Sequence, residues 1–169
     1  MEEFRFKCTS CDEWHVGMPT FGAKAPLDYY AVPEEELSTR CVLGSDTCEI
    51  DGEFFFVRGC IEIHVHGHDE PFIWGVWVSV SPESYKSYLS VYDQDNQSHI
   101  GPFFGWLSAS VQCYPDTINL KTMVHLRDNG TRPYIELEPT DHPLAIEQRE
   151  GITVERVAQI YAEVMHAST

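Results

Sequence analysis

Glu53-Phe-Phe-Phe-Val-Arg58-Gly59-Cys60-Ile-Glu-Ile-His-Val65, followed after a short break by Phe72-Ile-Trp-Gly-Val-Trp-Val-Ser-Val80, is the stretch whose reading decides the fold. β-Branched and aromatic residues dominate both runs, and such side chains suit a pleated, half-buried surface. From Cys60 onward Glu62, His64 and His66 alternate with Ile61, Ile63 and Val65, the period expected of a strand with one face in the core. The intervening His66-Gly67-His68-Asp69-Glu70-Pro71 has the composition of a turn, so the two runs predict a long antiparallel hairpin. Trp74 and Trp77 are an odd number of residues apart and cannot share a strand face, so one of them faces outward or onto a covering helix.

Outward from this hairpin the pattern continues in both directions. Ser81-Pro82-Glu83 supplies an N-cap and a first-turn proline, and Tyr85, Tyr88, Leu89 and Tyr92 recur at helical spacing. Further strands are expected from Phe104 to Val111, from Ile118 to Leu126 and from Pro133 to Leu137, the last two joined by an Asp128-Asn129-Gly130 turn. Asp141-His142-Pro143 has the form of a cap and first-turn proline for a short helix ended by Gly151. Thr153 then caps a last helix whose Val154, Val157, Ile160, Tyr161, Val164 and Met165 form an apolar stripe. Toward the N-terminus, residues 4 to 16 read as two short strands joined by a knuckle, and Gly17 to Pro33 reads as loop, with a helical turn after Pro33. The expected fold is α+β: an antiparallel meander sheet covered by two or three helices, with an N-terminal zinc-ribbon-like knuckle. One domain over residues 1–169 is expected, comprising a Cys-rich knuckle and loop (1–51), the sheet with one helix (52–138) and C-terminal helices (139–169).

A net charge of −16 repels phosphate backbones and anionic lipid surfaces, so neither nucleic acid nor a membrane is an expected partner. The same charge favours a basic partner, and another protein is the expected one; the sequence is silent on oligomeric state. MEEFRFKC carries no apolar run of signal-peptide length, which sets the expectation of a cytoplasmic protein. In a reducing compartment Cys8, Cys11, Cys41, Cys48, Cys60 and Cys113 read as buried thiols or metal ligands rather than disulfides.

Cys8-x-x-Cys11 in a turn lets two thiolates reach one tetrahedral zinc at about 2.3 Å, and a structural site needs two further Cys or His ligands. His15, Cys48 and Cys41 are available. The expected set is Cys8, Cys11, His15 and Cys48, a closed site pinning the knuckle to the Arg40–Asp51 segment. Two competing readings use the same pair: a thiol redox couple, which calls for a helix N-terminus that the strand-turn pattern lacks, and two unligated thiols. A second metal reading uses His64, His66 and His68, which would project from one face of a continuing strand beside Glu62 and could support a metal-dependent hydrolase; the plainer alternative is a solvent-facing, imidazole-rich turn. Asp141-His142 could act as an oriented general base, although helix capping accounts for the Asp by itself. No Gly-x-Ser-x-Gly elbow, Gly-rich phosphate loop or His-Glu-x-x-His helix points to an enzyme class.

Several segments taken in order resemble a bacterial family, the domain of unknown function 2199. They are Phe6-x-Cys8-x-x-Cys11-x-x-x-His15, Asp46-x-Cys48-x-Ile50-Asp51, Phe55-Phe56-Val57-Arg58-Gly59, Phe72-x-Trp74-Gly75-Val76-Trp77-Val78-Ser79, Gly105-Trp106-Leu107, Arg132-Pro133 and His142-Pro143-Leu144-Ala145-x-x-Gln148-x-x-Gly151. The resemblance implies no catalytic residues. It places Cys8, Cys11, His15 and Cys48 within motifs and leaves the His64, His66, His68 run outside them. The functional expectation is a zinc-stabilised binding module for another protein, with the histidine-run hydrolase and the Cys8/Cys11 redox protein as alternatives.

Overall fold

The computed structural model describes residues 3–166. Its centre is the hairpin read above: β6 (Phe54–Ile63) pairs antiparallel with β7 (Phe72–Val80) along its whole length, from Phe55 opposite Val80 to Ile63 opposite Phe72. The chain then runs up and down through β8 (Phe103–Leu107), β9 (Lys121–His125) and β10 (Tyr134–Leu137), each antiparallel to the one before. This connectivity is that of a meander, but the sheet is not open. β10 returns to β6 in parallel, with Tyr134 opposite Cys60 and the Cys60 amide donating to the Pro133 carbonyl at 2.9 Å, and so closes a five-stranded barrel.

Closure has a local cause. A Cβ on Gly59 would lie 2.6 Å from the Ile135 side chain and 2.8 Å from the Pro133 carbonyl oxygen, so only glycine lets β10 come this close. The expectation of an antiparallel meander sheet covered by two or three helices is corrected on this point: strands β6 to β10 close, through the parallel β10–β6 pair, around Val57, Ile61, Ile63, Val76, Val78, Leu107, Val124 and Ile135, all buried in one core.

The long hairpin also carries strands outside the barrel. β3 (Thr20–Gly22) lies parallel on β7, within a segment expected to be loop, and β5 (Thr47–Ile50) pairs with β6 and carries β4 (Cys41–Leu43) at the sheet edge. Short turns of helix, α1 (Leu27–Tyr30) and α2 (Leu37–Arg40), together with a 3-10 turn at Glu34–Glu36, cover the outer side. The parity of the two tryptophans is realised here. Trp74 belongs to the barrel core, whereas Trp77 points the other way into a second core of Val32, Cys48, Ile50 and Phe56, where its indole N–H donates to the Ala23 carbonyl at 3.0 Å.

Two of the three longer helices have the expected caps. α3 (Pro82–Val91) is capped by Ser81, whose hydroxyl accepts from the Ser84 amide; α5 (Val154–Met165) is capped by Thr153, which accepts from Arg156. At α4 (Pro143–Glu150) the cap is His142 rather than Asp141: the imidazole Nδ1 accepts from the Leu144 amide at 3.1 Å. β1 (Arg5–Lys7) and β2 (Trp14–Val16) form a separate two-stranded hairpin whose inner residue Phe6 packs on Tyr161 of α5. Among the described residues no helix is long and apolar enough to cross a membrane.

Candidate metal centre

The turn between β1 and β2 is built so that the two cysteines meet. The Cys8 amide donates to the Glu13 carbonyl at 2.9 Å, the Asp12 amide donates back to the Cys8 carbonyl at 3.2 Å, and Asp12 takes a φ of 58° to reverse the chain. Burial pushes the Cys8 thiol up, but the backbone amides of Cys11 and Ser10 and the Cys11 thiol outweigh it, and Cys8 is held below its ordinary value. Cys11 moves the other way. The Glu13 amide pulls it down, while burial and the neighbouring Cys8 more than reverse that pull. The two thiols titrate together, and the thiolate is the form that binds metals.

His15 occupies the inner face of the hairpin opposite Phe6. Its ring stacks on Phe6 at 5.4 Å, meets Tyr161 at 4.5 Å, and brings Nε2 to 3.4 Å from the Cys11 sulfur. Tyr161 also meets His166, the residue after α5, at 5.9 Å. One tyrosine thus orients two imidazoles contributed by opposite ends of the chain. One donor atom from each of Cys8, Cys11, His15 and His166 lies within 4.8 Å of the other three; among the described residues this is the group of three or more His, Cys, Asp or Glu donors so arranged, and it could hold a metal ion.

Three of the four residues singled out in the sequence, Cys8, Cys11 and His15, come together here. Cys48 does not join them. The register of β5 on β6 sets Cys48 opposite Phe56 and buries it in the second core beneath Trp77, where burial pushes its thiol up to about 12. Cys41 packs against the same core. The fourth donor, His166, escaped the sequence reading because it lies one residue past the apolar stripe of α5. The signal that could have found it was the unfilled position of a Cys-x-x-Cys…His set. The knuckle is also not shown to be a zinc ribbon, since its imidazoles come from β2 and from the end of a helix rather than from a second Cys pair.

The histidine run has other work. His66 Nε2 donates to the Glu150 carbonyl at 3.0 Å and its amide to the Ile152 carbonyl at 2.9 Å, while the Ile152 amide donates to the His64 carbonyl at 2.8 Å, so this side chain closes the end of α4. The His64 ring lies 6.0 Å from it, His68 packs edge-on against Phe4 at 4.9 Å, and Glu62 is held by Arg127 at 2.6 Å. His66 is thus engaged at the end of α4 and His68 against Phe4, while the His64 side chain is exposed beside His66. His142 is likewise committed: with Nδ1 accepting from Leu144, its Nε2 carries the proton and donates to the carbonyls of Asp116 at 3.0 Å and Pro115 at 3.3 Å, leaving no lone pair for general-base chemistry.

No curated protein and no solved structure matches this chain. A family model described as an uncharacterized protein conserved in bacteria matches residues 7–152, a span that holds Cys8, Cys11 and His15 and stops short of His166. The match extends over most of the sequence, and the chain belongs to this bacterial family, DUF2199.

Proposed function

We propose that the protein is a non-catalytic binding module for another protein, stabilised by one structural zinc ion held by Cys8, Cys11, His15 and His166. The observation that carries the zinc reading is the convergence of those four donors within 4.8 Å. Two thiolates and two imidazoles are a recurrent donor set for structural zinc, and four protein ligands leave no open position for water or substrate, which is the mark of a structural rather than a catalytic site. A hairpin of two three-residue strands is marginal on its own. Zinc shared between that hairpin and the end of α5 supplies the missing tie. The binding half of the proposal rests on the charge of −16 and on catalytic candidates that are committed to structural hydrogen bonds.

Elemental analysis of the purified protein and of Cys8→Ser, His166→Ala and Cys48→Ala tests the site. One zinc per chain, lost in the first two variants and kept in the third, is the expected result. Zinc retained in His166→Ala but lost in Cys48→Ala, or no zinc in the wild type, overturns it. In the metal-free case, rapid alkylation of Cys8 near neutral pH would instead favour thiol redox chemistry.

A further inference from the structure

The outer face of β8, β9 and β10 carries an arrangement that the metal site does not use. Phe104 and Trp106 project from β8 with over two-fifths of each side chain exposed, and their rings meet edge to face at 4.9 Å. The register extends each aromatic into a row across the barrel wall. Phe104 lies opposite Met123, which lies opposite Glu136; Trp106 lies opposite Lys121, whose carbonyl accepts from the Glu138 amide at 2.9 Å. A groove of about 360 Å³ is lined by Phe104, Lys121, Met123, Glu136 and Glu138, with Trp106 beside it rather than in its lining. Lys121 is the cation among its lining residues, and Glu136 is engaged by His125 at 3.0 Å, while Glu138 forms no ion pair among the described residues.

We propose that this face docks a basic, extended peptide segment of another protein, with an arginine or lysine side chain lying over the Phe104–Trp106 pair and its charge directed to Glu136 and Glu138. The proposal rests on the reading of the chain as a binding module and names the surface and the chemistry of the partner. Exposed aromatic faces attract guanidinium and ammonium groups. Carboxylates across the groove complete the recognition, and a chain with 27 acidic and 11 basic residues steers a cationic segment toward it from a distance. Aromatic side chains are the residues that most often dominate binding energy at interfaces. Met123 between them offers an adaptable apolar contact for the peptide's aliphatic stems.

The test uses the full chain, with its metal content measured on the same sample, so that a missing peptide signal is read separately from a missing zinc. A fluorescein-labelled decapeptide of alternating arginine and alanine is titrated by anisotropy, with the glutamate–alanine decapeptide and a single-stranded oligonucleotide as controls. The arginine peptide alone is expected to bind. Trp106→Ala and Glu138→Gln should each weaken it by about three- to tenfold, and Lys121→Gln should strengthen it, all at unchanged zinc content and circular dichroism. Absence of binding, equal affinity for the acidic peptide or the oligonucleotide, or arginine-peptide binding unaltered by Trp106→Ala and Glu138→Gln overturns the proposal. The last outcome would assign the attraction to net charge alone.

Discussion

The donor nitrogens of His15 and His166 lie within 4.8 Å of each other, although one belongs to the N-terminal hairpin and the other follows the last helix. Tyr161 packs against both rings, so their approach is set by the same contact that seats the hairpin on α5. Under the zinc proposal, chelation or His166→Ala releases that seat locally. Amide hydrogen exchange over Arg5–Lys7 and Trp14–Val16 is expected to speed up by about ten- to a hundredfold, while β6 and β7 keep their protection. Equal acceleration in the barrel strands would contradict a local staple.

Gly59 is expected to be intolerant of any side chain. Gly59→Ala places a methyl group 2.6 Å from Ile135 and 2.8 Å from the Pro133 carbonyl, and the backbone contact cannot yield without opening the β6–β10 seam. A loss of about 1–3 kcal/mol is expected from urea unfolding, as for overpacked cores. Gly52→Ala is the control: it has open space around its Cβ but a φ of 60°, so it reports backbone strain without the clash.

Acid should weaken the fold through Asp46. Burial alone would raise this carboxyl, but the Tyr92 hydroxyl at 2.6 Å and Arg132 at 3.0 Å outweigh it and hold the group below its ordinary value of 3.8. A folded-state value below the unfolded one means that the stabilisation is present above the unfolded value and is lost as pH falls through the folded one. The urea midpoint is therefore expected to fall below about pH 4, and Asp46→Asn should flatten that fall while lowering the midpoint at neutral pH.

Alkali should act through Cys48. Burial pushes its thiol from 9.0 up to about 12, so its contribution is full below pH 9 and is lost as pH rises from 9 toward 12. Cys48→Ala is expected to make the unfolding midpoint less steep across that range. An unchanged slope would mean that the thiol is better solvated than its place under Trp77 implies.

His142 rather than Asp141 should matter for α4. His142→Ala removes the acceptor for the Leu144 amide and the donor to the Asp116 carbonyl, and a loss of about 1 kcal/mol is expected, the usual worth of an N-cap. Asp141→Ala is expected to cost under about 0.5 kcal/mol, the range of ordinary surface substitutions. The reverse ranking in thermal unfolding would restore Asp141 as the cap.

Elements whose signal is local were legible in the sequence. The β6–β7 hairpin followed from alternation and β-propensity, α3 and α5 from Ser81 and Thr153, and the β9–β10 turn from Asn129 and Gly130, both of which adopt positive φ. The short strands β3, β4 and β5 were not anticipated: β3 lies in a Gly- and Pro-rich segment that reads as loop, and β4 and β5 are strands through their pairing with each other and with β6. Asp141 was misread as the cap because the usual preference for Asp competes with a histidine that also had a carbonyl partner waiting in the β8–β9 connection.

By itself the sequence determined the α+β class, the long hairpin, the opposite facing of Trp74 and Trp77, the meeting of Cys8 with Cys11 and the membership of the family, since each depends on residues near one another in the chain or on an ordered set of motifs. Only the tertiary structure decided that the sheet closes and that His166, rather than Cys48, stands beside Cys8, Cys11 and His15. Both are contacts between segments far apart in sequence, fixed by the room Gly59 leaves for β10 and by Tyr161 holding two imidazoles on one side of α5. Such contacts arise from packing, and side-chain periodicity along a single segment carries no information about which distant segment will fill the space beside it.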